Sequence, residues 1–92
     1  MRIRVISLTI FIPGALNLKD KRQVIQSVTA RIRKLNVSVA EVDHLEQWQI
    51  AKLGIAMVSK DQSYLDSLRH EIMKLIEERY PVEITEVLIE DY

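Results

Sequence analysis

RIRVISLTIFIPGALNLKDKRQVIQSVTARIRKL, residues 2–35, contains the change of period on which the fold turns. Up to residue 12 the pattern alternates, with Ile6, Leu8, Ile10 and Ile12 on one side and Ser7, Thr9 and Phe11 on the other. That is the spacing of a strand with one buried face. Pro13-Gly14 stops it, because proline lacks the ladder donor and glycine permits a turn. Asn17 then offers an N-cap, Asp20 occupies the third helical position, and Val24, Ile25, Val28, Ile32 and Leu35 recur at helical spacing. These features predict a helix over residues 18–35.

The same grammar repeats downstream. Residues 37–43 (VSVAEVD) read as a second strand, 44–47 as a turn, and 48–59 (WQIAKLGIAMVS) as a third strand. In that strand Ala51, Leu53, Ile55 and Met57 face the core, and Trp48, Ile50, Lys52, Gly54, Ala56 and Val58 face away. Ser59 with Gln62 resembles a capping box opening a helix over 60–79, whose apolar stripe is Leu65, Leu68, Ile72 and Ile76. Tyr80-Pro81 ends that helix, and residues 82–90 form a last strand whose three glutamates suit a sheet edge. Two right-handed strand–helix–strand units place both helices on one face of an antiparallel sheet. The predicted architecture is therefore α+β: a ferredoxin-like βαββαβ sandwich of strand order 4-1-3-2, forming one domain over residues 1–92.

The composition is that of an ordinary globular protein, 48% apolar and 28% charged. With no cysteine there are no disulfides and no thiolate metal sites. No apolar run approaches the ~20 residues of a membrane span, and no signal peptide precedes the first strand, so a cytoplasmic protein with no membrane partner is expected. The net charge of zero is divided unevenly. Residues 1–36 carry eight Lys/Arg against the single acid Asp20, a local +7, and residues 37–92 carry five against twelve acids, a local −7. Local fields, rather than the total, attract a charged partner.

Lys19, Lys21 and Arg22 open the first helix, where cations oppose the macrodipole, and Arg31, Arg33 and Lys34 close it, where cations complement it. Together they describe a basic helix edge of roughly 22 Å at 1.5 Å per residue, long enough to follow several phosphates. Arg2 and Arg4 would lend outlying support. A second candidate surface is the sheet face that no helix covers. Phe11, Trp48, Ile50 and Val58 form an apolar patch there, suited to a homodimer or a small-ligand module. Its two aromatics do not match the platform of an RNA-recognition motif.

Catalytic signals are weak. Asp43, His44 and Glu46 combine acid–base and metal-ligating types, but they also suit a solvated turn, and His70 reads as solvent-facing on the second helix. No glycine-rich phosphate loop, HExxH or GxSxG occurs. The five residues Pro13-Gly14-Ala15-Leu16-Asn17 lack the glycine-rich, arginine-bearing loop by which acylphosphatases of this strand order bind phosphate. No enzyme activity, metal or cofactor is expected.

The stretch IPGALNLKDKRQVIQSV (12–28) followed by NVSVAEVDHLEQWQIAKLGIAMVS (36–59) resembles the YlxP-like family of small bacterial proteins, a domain of unknown function. The most specific parts are the Pro-Gly turn with Leu-Lys-x-Lys-Arg, the Val-Ser-Val-Ala-Glu-Val strand, His44 and Trp48-Gln49. The resemblance implies a ferredoxin-like fold and a bacterial cytoplasmic protein. Family genes often lie among those for translation and ribosome maturation, which implies RNA or ribosome association. Phe11 and Ile50 depart from relatives that carry charged residues there. The expected function is a non-enzymatic accessory protein binding RNA or a ribosomal assembly, without sequence preference and with no DNA partner. The alternative is homo-oligomerisation or small-ligand binding through the uncovered sheet face.

Overall fold

The computed structural model describes residues 1–92. Six elements follow in order: β1 (Arg2–Phe11), α1 (Leu18–Arg33), β2 (Ser38–Asp43), β3 (Ile50–Ser59), α2 (Gln62–Arg79) and β4 (Glu83–Asp91). All strand pairs are antiparallel and the sheet order is β2-β3-β1-β4, the order read from the sequence. Alternation decides the layering. Ile6, Leu8 and Ile10 of β1, with Ala51, Leu53, Ile55 and Met57 of β3, are buried on one sheet face. Against them pack Ile25, Val28 and Ile32 of α1 and Leu65, Leu68, Ile72 and Ile76 of α2, the helical stripes the spacing marks.

The first helix starts as its sequence requires. The Asn17 side-chain oxygen accepts from the Asp20 N–H at 2.8 Å, and Asp20 Oδ2 accepts from the Leu16 N–H at 3.0 Å. The Asp20 donor of the first turn and the Leu16 donor ahead of it are thus met by side chains of the same segment. The chain leaves α1 through Asn36 in the left-handed region (φ 62°), and leaves β2 through His44 in the same region (φ 60°).

Two local expectations are corrected. β3 begins at Ile50, so Trp48 belongs to the preceding turn. The Ser59–Gln62 capping box does not form, because Ser59 is still the last residue of β3. Asp61 takes the N-cap position without a side-chain cap bond, and Ser59 Oγ instead accepts from the Asp61 N–H at 3.1 Å. Each outer strand also carries an irregularity: β2 slips against β3 between Glu41 and Asp43, and β4 slips against β1 at Thr9/Ile10.

Candidate nucleic-acid interface

At about 100° per residue along α1, Arg22, Arg33 and Lys34 fall within about 60° of Lys19, and Arg31 lies about 120° away. Lys21 lies about 200° away, on the same side as Ile25, Val28 and Ile32. The structure follows this geometry. Lys19, Arg22, Arg31, Arg33 and Lys34 are exposed, whereas Lys21 is 1% exposed and among the largest fully buried side chains.

Lys21 is thus removed from the expected phosphate-contacting set. Its ammonium lies 2.8 Å from Glu41 Oε2 of β2 and donates to the backbone carbonyl of His44. The Glu41 contact is an ion pair without the alignment of a hydrogen bond, so that carboxylate oxygen has charge compensation but no directional donor. The residue ties α1 to β2 and to the turn after it. A long apolar stem buried with its charged end paired is the usual way such a residue enters a core.

Arg4 is corrected in the same sense. It lies in phase with Ile6, Leu8 and Ile10 on the covered face and is 4% exposed. Its guanidinium forks onto Asp91 of β4, with Nε donating to Oδ1 at 2.7 Å and Nη2 to Oδ2 at 2.9 Å. Nη1 reaches Asp66 of α2 at 2.7 Å. Arg4 holds the Asp91 carboxyl well below the usual range, at about 2, and the two carboxylates raise the Arg4 pKa in return. Such a bidentate fork fixes geometry as well as charge.

The three ion pairs of the structure involve only Arg4 and Lys21 on the cationic side. The basic half of the sequence therefore divides into two internally paired cations, Arg2 exposed at the start of β1, and a set on the outside of α1, the last two with no carboxylate within ion-pair distance. Arg33 alone of that set has a polar protein contact, Nη2 to the Val39 carbonyl at 3.5 Å, beside an open depression of about 550 Å³ that Asn36 and Ser38 also line.

The other candidate groups lie elsewhere. Asp43, His44 and Glu46 do not assemble into a three-ligand cluster. The Asp43 carboxylate is engaged locally, accepting from the His44 N–H at 2.7 Å. His70 is exposed on α2, in an open depression of mixed charge with Asp66, Arg69, Lys74 and Glu77. Phe11, Ile50 and Val58 all face the helix-free side of the sheet, with Phe11 and Ile50 paired at one end and Val58 beside Ile3 at the other. Trp48 is 51% and Val58 60% exposed. Gln49 Nε2 donates to the carbonyls of Pro13 and Ala15, both at 3.2 Å, and so fixes the turn that carries Trp48.

The family model described as "Protein of unknown function (DUF503)" matches residues 3–89. The chain belongs to the DUF503 family. A curated relative of this DUF503 protein, "Uncharacterized protein YlxP" from Bacillus subtilis (strain 168), is 30% identical over 70 residues, covering 75% of this chain and 76% of the relative. Among solved structures, the de novo designed protein Foldit4 superposes with a TM-score of 0.59 at 14% identity, covering 98% of this chain and 96% of the design. At that identity the likeness concerns the fold alone. A second design, LFR1 1, described as having a ferredoxin fold, aligns at a TM-score of 0.49 and 11% identity, over 100% of this chain and 83% of the design. No helix of the DUF503 chain is long and apolar enough to cross a membrane.

Proposed function

We propose that this DUF503 protein is a non-enzymatic accessory protein of the bacterial cytoplasm that binds RNA, or an RNA-containing assembly such as the ribosome, through the outer face of α1. The observation that carries the reading is the row of exposed cations Lys19, Arg22, Arg33 and Lys34 on one face of α1, with Arg31 exposed to one side of it, none of them within ion-pair distance of an acid. Unpaired Lys and Arg along one helix face supply charge to a phosphate backbone without reading bases, so salt-dependent binding of low sequence preference follows. RNA is favoured over DNA because genes of the family often lie among those for translation and ribosome maturation. No cofactor enters this role.

The test is fluorescence anisotropy with a structured RNA over a range of salt. Four phosphate contacts give a log–log salt slope of about −3. Lys19→Glu with Arg22→Glu is expected to weaken binding at least about tenfold and roughly halve the slope, with an unchanged circular dichroism spectrum. Lys21 is left out of this variant, since a glutamate there would sit buried beside Glu41. Absence of binding even at low salt overturns the proposal.

The uncovered sheet face supports a second reading, a homo-oligomeric contact. Val42, Trp48, Val58 and Leu88 are each more than half exposed, which is unusual for an unpartnered sheet surface.

A further inference from the structure

The strand register shows how two copies could meet on that face. Across β2-β3-β1-β4, the helix-free side is ordered in rows: Val58 beside Ile3; Ser38, Ala56, Val5 and Glu90; Ala40, Gly54, Ser7 and Leu88; Asp43, Lys52, Thr9 and Glu86; and Ile50, Phe11 and Glu83. The centre is flat, because Gly54, Ser7, Ala40 and Ala56 project little, and a second sheet can approach to the ~10 Å spacing of stacked sheets. Four strands ~4.8 Å apart and central strands of ten residues rising ~3.3 Å each give a footprint of about 600 Å². Two such faces total about 1,200 Å², above the ~1,000 Å² that a specific interface needs.

Charge selects the occupant. The face has one cation, Lys52, against Asp43 of β2 and three glutamates along β4, so it repels a phosphate backbone or an anionic lipid surface. Lys52 and Glu86 lie in the same row, and neither has an ion-pair partner within the monomer. Charge also selects the symmetry. A two-fold axis across the strands stacks Glu86 over the second copy's Glu90. An axis along the strands, between β1 and β3, stacks Val58 on Ile3, Ala56 on Val5, Ala40 on Leu88 and Ile50 on Phe11. It also stacks Asp43 over the second copy's Glu86, with Lys52 one strand spacing away and placed between the two carboxylates, whereas the other axis leaves its stacked glutamates without a cation.

We infer that the protein forms a two-fold homodimer by stacking its uncovered sheet faces about an axis running along the strands, with Lys52 of each copy paired to Glu86 of the other. This rests on the homo-oligomeric reading above and is independent of RNA binding. Both α1 basic faces remain on the outside of the dimer.

Sedimentation velocity from about 1 to 200 μM tests it, together with the emission of Trp48, the only tryptophan. The wild type is expected to sediment as a dimer, with Trp48 emission moving to shorter wavelength as concentration rises. Ala56→Arg places a charge at the centre of the contact and is expected to weaken association at least about a hundredfold. Because Ala56 is exposed in the monomer, its circular dichroism and melting should persist. Lys52→Glu and Glu86→Lys should each weaken association about tenfold or more, and the double swap should restore it. A wild type that stays monomeric, or that becomes saturated only by anionic vesicles or RNA through this face, overturns both the inference and the reading beneath it. A dimer broken by Ala56→Arg but not restored by the swap overturns the symmetry and leaves the face as the interface.

Discussion

Replacing Lys21 by methionine isolates the least expected element of the structure. The substitution keeps an unbranched apolar stem but removes the ammonium that compensates Glu41 and donates to the His44 carbonyl. Breaking a fully buried ion pair by removing one partner costs about 3–5 kcal/mol, mostly for the charge left behind. The Glu41 side chain keeps 20% of its exposure, so water recovers part of that loss and about 2–3 kcal/mol is expected. For a domain of this size each kcal/mol moves Tm by about 4–8 °C, so Lys21→Met should melt about 10–20 °C below wild type. Adding Glu41→Leu removes the stranded carboxylate, and the double variant should return to within about 1 kcal/mol of wild type. Urea titrations followed by circular dichroism close the cycle. At a temperature where both are folded, Lys21→Met should bind RNA as wild type does, unlike Lys19→Glu/Arg22→Glu. A single variant within about 0.5 kcal/mol of wild type would refute the claim that this pair anchors α1 to β2.

Other outcomes follow from single contacts. Asp91 is depressed in the folded state, so its contribution to stability is present above the unfolded carboxyl range near 3.8 and lost as pH falls through about 2. Asp91→Asn should therefore flatten the acid limb of stability between about pH 4 and pH 2, and an unchanged limb would count against the Arg4 fork. His44→Gly relieves a left-handed residue with a side chain and should raise stability by about 0.5–1 kcal/mol in chemical denaturation, provided the His44 carbonyl still meets Lys21. Gly54→Ala places a Cβ 3.0 Å from Cγ1 of Val42. Since Val42 is 54% exposed and free to turn aside, melting should change by no more than about 0.5 kcal/mol, toward greater stability.

Element order, strand order and the covered face were legible because period-2 and period-3.6 patterns rarely overlap in this chain. The positions of Lys21 and Arg4 were legible by the same periods. Lys21 stands four, seven and eleven residues before Ile25, Val28 and Ile32, and Arg4 two before Ile6. Grouping the cations by neighbourhood in sequence obscured what grouping them by face would have exposed. Their partners were not legible. Glu41, Asp66 and Asp91 come from three other elements, and no local pattern links them to these cations. The uncovered face was legible only in part: Phe11, Trp48, Ile50 and Val58 stood out, whereas Val42 and Leu88 needed strands β2 and β4 in register.

The Arg4 fork joins residues 87 positions apart, from the first strand to the last. Until β4 and α2 have docked, any partly assembled form that buries β1 on its core side holds a guanidinium with neither carboxylate in place. Such a form is penalised by the desolvated charge, so partial sheets of β1, β2 and β3 should not accumulate. The closing contact is also strongly non-local in sequence, so its loop-closure entropy must be met before the contact stabilises anything. One paired arginine thus penalises partial assembly and ties completion of the domain to the docking of β4.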